Sequence, residues 1–258
     1  MSIILKYYYI FEQLIKNNLV NKIFVSINYK LLKSLRNDSN IDYYKNYIIY
    51  FKHINTYDRI IIEDNYNDSY KSITPTSLSN MFKIPIKFKI YDKLIYKKSI
   101  YTFDYITIST KILGIDYELY QKYKNILFDK LNTIGCKVIL LGERNISNCN
   151  EYQIHKTYTI YDDLIKNINN YIDNTINNNN NNNDLKSFMK SATILNKSKL
   201  NIYISNGGIS EMMGYVSINI LGLTTNQICL DKISYVNDCN NIKIFNKFEN
   251  FLQNIKID

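Results

Sequence analysis

Three short stretches of this chain carry groups suited to gripping an anion. Ser109-Thr110-Lys111 offers two hydroxyls and an ammonium, Glu143-Arg144-Asn145 a carboxylate, a guanidinium and an amide, and Asn206-Gly207-Gly208 leads through Ile209 and Ser210 to Glu211. Each follows an apolar run that reads as a strand. The last stretch is the sharpest. Strand, Asn-Gly-Gly, helix is an order that leaves backbone N–H groups at the positive end of a helix dipole, with no Cβ to block close approach. A diphosphate suits such a turn, and Glu211 is placed to cap the helix or to accept hydrogen bonds from ribose or sugar hydroxyls. An ordinary tight turn, its glycines serving only packing, has the same spelling. What separates the two is company. In an open parallel sheet ligands bind outside the carboxyl ends of the strands, so Lys111 and Arg144 would put two cations on the edge that holds Gly207-Gly208. Thr159 to Asp163 (TIYDD) flanks a nucleotide base in one reading, and is a strand plus the N-cap of the next helix in the other.

The elements that must position these groups alternate. From Tyr105 the chain reads as strand 105–110, helix Tyr117–Thr133 with Leu119, Tyr123, Ile126, Leu127, Leu131 and Ile134 on one face, a C-cap at Gly135, strand 137–143, a short strand 158–161, and a helix from Asp162 to the asparagine run. Then come a short helix from Asp184, strand 201–206, a helix over GISEMMGYV, strand 219–224 and a closing amphipathic helix, FNKFENFLQNI. The first hundred residues read as helix 5–18, strand 22–28, helix 29–37, strands 47–51 (YIIYF) and 59–64 (RIIIED), irregular surface chain from Tyr66 to Pro85, and a strand or connection over Ile84–Ile95. Short Ile/Val-rich runs between helical segments are the pattern of parallel strands covered on both faces. The expectation is an α/β protein of two Rossmann-like lobes: residues 1–98 as a reduced N-terminal lobe, and residues 99–258 as a nucleotide-binding lobe.

Composition narrows the classes. The 258 residues carry 7 Gly, 2 Pro and no Trp, with Asn, Ile, Lys and Tyr in excess, the set that AT-rich codons encode. The net charge of +9 draws on that skew, and the lysines are scattered without a basic block, which argues against nucleic acid as the partner while a general pull on sugar diphosphates remains. The 25 tyrosines follow the same skew. Cys136, Cys149, Cys229 and Cys239 form no CxxC pair, and His53 and His155 lie far apart, so no metal site is expected and four free thiols suit the cytoplasm. No apolar run reaches the ~18–20 residues of a transmembrane segment, and the N-terminus lacks the basic start and cleavage site of a secretory signal. Asn177 to Asn183 is an unbroken asparagine run, expected as a solvated loop. GxGxxG, GxxxxGK[ST] and GxSxG are absent, arguing against a standard dinucleotide site, a P-loop and a nucleophile elbow.

The stretch DLKSFMKSATILNKSKLNIYISNGGISEMMGYVSINILGLTTN resembles the second lobe of two-domain (GT-B) glycosyltransferases, in the pattern of the bacterial heptosyltransferase-like group; ITISTK and VILLGERN look like that lobe's first two strands. The resemblance covers some 120 residues. It implies a GT-B fold, a glycosyltransferase of hexosyl- or heptosyltransferase type, a nucleotide-sugar donor, no cofactor or metal, and an unknown glycan, lipid or protein acceptor. Carried onto this sequence, it implies donor contacts at Lys111, Arg144, Asn206, Gly207, Gly208 and Glu211. The N-terminal half departs from the pattern. It opens in a helix, the first glycine of the whole chain comes only at Gly114, and it offers no early Gly-Asp turn for a general base. Glu63, Asp64 and His53 are acid/base types there, but nothing in their spacing promotes them, so no catalytic residue is assigned. The alternative is a non-catalytic, truncated GT-B-like protein that binds a nucleotide or serves as a scaffold.

Overall fold

A computed structural model describes residues 2–26, 41–63, 73–87, 89–97, 104–145, 157–175, 185–205, 213–217, 219–225 and 241–256. The N-terminal part runs α1 (Ser2–Lys16), β1 (Ile23–Val25), α2 (Ile41–Ile54), β2 (Ile60–Ile62), α3 (Pro75–Phe82) and a 3-10 turn at Asp92–Leu94. The rest runs β3 (Tyr105–Ser109), β4 (Lys111–Leu113), α4 (Gly114–Thr133), β5 (Lys137–Leu141), β6 (Thr157–Thr159), α5 (Tyr161–Asn167), β7 (Tyr171–Asp173), α6 (Leu185–Asn196), β8 (Leu200–Ile204), β9 (Asn219–Leu223), β10 (Asn241–Phe245) and α7 (Phe248–Gln253). No helix among the described residues is long and apolar enough to cross a membrane.

Six strands form one sheet in the order β10-β9-β8-β3-β5-β7, every pair parallel. Counted along the chain from β3, this is the order 3-2-1-4-5-6 of doubly wound sheets. The architecture is α/β, parallel sheets flanked by helices, compatible with a Rossmann-like fold. Strand periodicity decides which layer each residue joins. Ile106, Ile108, Val138, Leu140, Ile202, Ile204, Leu221 and Leu223 face α4, α5 and α7 in one apolar cluster. Tyr105, Ile139, Leu141, Tyr203 and Ile220 face the other way, into a cluster with α6 and the helical residues 213–216. That second cluster also takes in Ile4, Leu5, Tyr8, Leu14, Phe51, Ile54, Ile60 and Leu94, so the N-terminal helices and one face of the large sheet bury a common core. Hydrogen bonds cross the same boundary, Tyr91 N donating to Tyr215 O at 3.2 Å and Tyr96 N to Thr193 Oγ1 at 2.8 Å. α1 also brings the buried Glu12 into this layer, where Lys89 Nζ lies 2.5 Å and Lys16 Nζ 3.2 Å from its Oε1.

Several local expectations are corrected. YIIYF (47–51) is the middle of α2, not a strand; Ile48, Tyr50, Phe51 and Ile54 are buried at helical spacing while Ile49 faces out. Residues 75–82, within the stretch read as irregular, form α3, with Thr74 Oγ1 accepting from Ser77 N at 3.1 Å, Pro75 at the first turn and a left-handed Lys83 ending it. The 84–95 stretch holds the 3-10 turn and no strand among its described residues. The strand expected at 158–161 is β6, which pairs antiparallel with β4 and not with the main sheet. α5 stops at Asn167, and β7 follows it as an unforeseen edge strand; β10 was likewise unforeseen. On α4 the buried face is Asp116, Tyr120, Leu127, Phe128 and Leu131, and Ile126 is 50% exposed. Gly135, φ +75°, follows the helix end as expected. Helix 29–37 and the asparagine run lie outside the described residues.

Between β8 and β9, Tyr203 stands directly opposite Gly222, and both face the shared core. A Cβ at 222 would come within 2.6 Å of Tyr203 Cε1 and closer still to Cζ and Oη. Gly222→Ala is therefore expected to destabilise the chain by about 1–3 kcal/mol, each kcal/mol appearing as roughly 2–4 °C in Tm. Combined with Tyr203→Leu it should cost less than the two single changes together, a coupling that thermal melts of the three variants will read.

Candidate functional site

The sheet's order creates its own crevice. From β3 the chain winds toward β5 and β7, and from β8 toward β9 and β10, so loops leaving the carboxyl ends of the adjacent β3 and β8 diverge.

At the end of β3, Ser109 and Thr110 are buried. The Thr110 hydroxyl lies 3.2 Å from Leu141 O and 2.9 Å from Glu143 O, its N–H donates to Leu141 O at 2.9 Å, and its carbonyl accepts from Ile160 N at 2.8 Å. Thr110 thus knots β3 to the end of β5 and to the start of α5. Its side chain serves the fold. Beyond it, β4 and β6 stand as a small ribbon, with Lys111 opposite Thr159 and Ile112 opposite Tyr158. A Tyr117–Tyr158 stack, centroids 4.2 Å apart, fastens the ribbon to α4. Lys111, with 39% of its side chain exposed, reaches to 3.8 Å from Glu143 Oε2.

Arg144 is held differently. Its Nη2 sits 2.7 Å from Asp173 Oδ2, its Nε donates to Thr175 Oγ1 at 2.9 Å, and its guanidinium lies over the Tyr161 ring at 5.4 Å. Tyr161 Oη donates to Asp173 Oδ2 at 2.7 Å, and Thr175 donates to Asp173 Oδ1 from N (2.9 Å) and Oγ1 (2.5 Å). Burial alone would raise the Asp173 carboxyl, but the Thr175 and Tyr161 hydrogen bonds and the Arg144 cation outweigh it and hold it below the ordinary carboxylate value. The same hydrogen bond to Asp173, with some burial, pushes the Tyr161 phenol up.

Between the β3 and β8 sides the linking residue is one that the sequence did not single out. Asp116, in the first turn of α4, has no solvent exposure. Its Oδ1 accepts from Thr225 N at 2.9 Å and Thr225 Oγ1 at 2.6 Å, and its Oδ2 accepts from Ser205 Oγ. Ser205 Oγ in turn accepts from Leu113 N at 3.1 Å, and Ser205 N donates to Leu223 O at 2.7 Å. An acid two residues after Gly114 is a visible signal of a helix start, but no local pattern links it to positions 205 and 225.

The structure therefore gathers Ser109, Thr110, Lys111, Glu143 and Arg144 at one edge, and pairs both cations with carboxylates. Asn206, Gly207, Gly208 and Glu211 lie outside the described residues; β8 on one side of them and the helical residues 213–216 on the other are described. In the N-terminal part, His53 Nε2 is 2.7 Å from Lys93 O, Glu63 N donates to Val25 O at 2.8 Å, and Asp64 lies outside the described residues. Among the described residues no three of His, Cys, Asp and Glu are grouped to hold a metal. No family model, curated protein or solved structure matches the chain.

The depressed Asp173 carboxyl has a consequence in acid. A group whose folded value lies below its unfolded one (about 3.9) stabilises the fold above that unfolded value and ceases to do so as pH falls through the folded value. Asp173→Asn is expected to cost about 1–2 kcal/mol at neutral pH and progressively less as pH falls through the depressed folded value. Denaturant melts of both proteins from pH 6 to 2 should converge at the acid end; a constant gap would show that the Asp173 charge is not what the cluster holds.

Proposed function

We propose that this chain binds the nucleoside diphosphate portion of a nucleotide-sugar at the carboxyl edge of the sheet, in the crevice between β3 and β8, and acts as a GT-B-like glycosyltransferase. One observation carries the reading: the buried Asp116 carboxylate occupies the first turn of α4. In dinucleotide-binding sheets of this strand order, the pyrophosphate sits at the helix that follows the first strand. A carboxylate already there repels a second anion and takes up the helix-end field. The other strand at the crevice, β8, leads in sequence into Asn206-Gly207-Gly208, and a mononucleotide diphosphate held by that stretch is what the resemblance to the heptosyltransferase-like group implies.

Lys111 and Arg144 are equally exposed at this edge, but the Glu143 partner of Lys111, at 3.8 Å, is the loosely set one. A diphosphate would draw the ammonium to itself, and the same charge would stabilise the leaving nucleotide as the bond to the sugar breaks. The N-terminal part would present the acceptor hydroxyl, in the role of the first lobe of a GT-B enzyme. A second reading, a nucleotide binder without transfer, is favoured by one specific feature: Arg144 is engaged by Asp173 and Thr175, so charge stabilisation of a leaving group falls to Lys111.

Thermal melts with UDP, ADP, GDP and CDP, each in large excess, should single out one nucleotide. At a hundredfold excess over Kd the stabilisation is about 2.7 kcal/mol, on the order of 5–10 °C. Lys111→Ala should weaken that nucleotide about tenfold, roughly 1.4 kcal/mol, whereas Glu143→Gln, freeing the ammonium, should tighten it. Four flat melts, or an unchanged Kd in Lys111→Ala, would sink the site. Transfer assays with the matching nucleotide-sugars decide between enzyme and binder.

A further inference from the structure

β7 ends the large sheet, and its register with β5 shows which of its backbone groups are in use. Val138 N donates to Asn170 O at 2.9 Å, and Asn174 N donates to Leu140 O at 3.1 Å. Residues 170, 172 and 174 therefore turn their N–H and C=O groups toward β5, and Tyr171 and Asp173 turn theirs the other way. Among the described residues nothing bonds to those outward groups. The side chains agree with an open edge, Tyr171 being 38% and Ile172 41% exposed on opposite faces of the strand.

Such an edge is ordinarily guarded by lysine, proline or a bulge. β10, at the opposite edge, carries an exposed Lys243 in mid-strand. Residues 168–175 (INNYIDNT) hold no Lys, Arg or Pro. They are also self-complementary. Laid antiparallel about a two-fold axis through Ile172, two copies set Tyr171 opposite Asp173 twice over, and each such pair can exchange both of its N–H···O bonds. Those bonds take up every outward donor and acceptor of Tyr171 and Asp173 in both strands. Ile172 then meets the partner subunit's Ile172 at the closer, non-hydrogen-bonded spacing, and no like charges stand opposite. The same axis runs the two copies of α5 antiparallel, the exposed Asp162 of one toward the exposed Lys166 of the other. We propose that β7 is a homodimer interface, a second copy of this chain pairing with it antiparallel so that the two sheets become one. The pairing needs no ligand and goes beyond the proposed function. It also braces Asp173, whose side chain holds Arg144.

Sedimentation equilibrium of the full chain from about 1 to 200 µM should show a reversible monomer–dimer equilibrium, because association follows mass action. In the wild type the Tyr171 and Asp173 amides should exchange at least tenfold more slowly at the high concentration than at the low one. The Ile172 amide, turned toward β5, should change far less. Ile172→Lys and Ile172→Glu each set like charges across the axis and should stay monomeric throughout. Their melting temperatures at low concentration should lie near that of the wild type, since the position is exposed. Mixed in equal amounts, the two variants should recover the dimer, because residue 172 meeting residue 172 turns two repulsions into one attraction. A wild type that stays monomeric, as it would if the edge takes some other extended peptide, overturns the proposal. So does a dimer that survives both substitutions, or a mixture of folded variants that remains monomeric. Should a variant not fold, the wild-type exchange decides alone, and equal rates at both concentrations sink the interface.

Discussion

Everything at the carboxyl edge depends on β8 lying beside β3 in one register, and a buried polar pair sets that register. Thr107 and Asn201 stand directly opposite each other, fully buried, with Thr107 Oγ1 donating to Asn201 Oδ1 at 2.6 Å. The Asn201 amide then donates to Leu195 O at 3.0 Å and Asn219 O at 3.1 Å, reaching the crossover helix α6 and the next strand. Tyr105 Oη and Ser217 Oγ satisfy Ile194 O and Leu195 O, so the carbonyls at the end of α6 are met by side chains of the sheet and its loops. A slip of one residue would turn each apolar residue of β8 to the wrong layer and leave these groups unpaired in a dry interior. The crevice inherits its place from this lock.

Charge at that edge is arranged by the protein against itself. Asp116 fills one helix end, Asp173 takes Arg144, and Glu143 stands opposite Lys111. The three pairings differ in tightness. Asp116 is sealed, Asp173 takes four close contacts from three residues, and Glu143 meets its lysine only at 3.8 Å with both partners about a third exposed. An anion arriving from solvent competes for the loosest partner, and this ordering, more than the number of cations, decides where it can settle.

The central strands were legible because they are buried on both faces, which makes them uninterrupted apolar runs; 105–109, 137–141, 200–204 and 219–223 all read correctly. The same rule misfired at YIIYF. The compositional skew puts isoleucine even on the solvent side of α2, at Ile49, and an amphipathic helix then spells like a strand. β7 escaped notice for the opposite reason, being three residues on a sheet edge with Tyr171 and Ile172 largely exposed. Thr74-Pro75 did carry a helix start, hidden in a cluster that also spells a loop. At the site, strand ends were readable and therefore so were Thr110, Lys111 and Arg144. What each one touches was not, since their partners Leu141, Glu143 and Asp173 come from other strands. Asp116 shows the limit most clearly: its partners are 89 and 109 positions away.

The core that α1 shares with residues 192–220 has a consequence in time. During synthesis the apolar stripe of α1 leaves the ribosome some 200 residues before Tyr215, which closes that layer through Tyr91. At ordinary elongation speeds of about 5–20 residues per second, this is an interval of roughly 10–40 s. Through it the N-terminal helices have each other but not their floor. Contacts that span so much chain also carry the loop-closure penalty that slows folding. The residues of α1 are thus among the last to be finished, and the nascent chain has need of whatever shields greasy helices until residues 192–220 arrive.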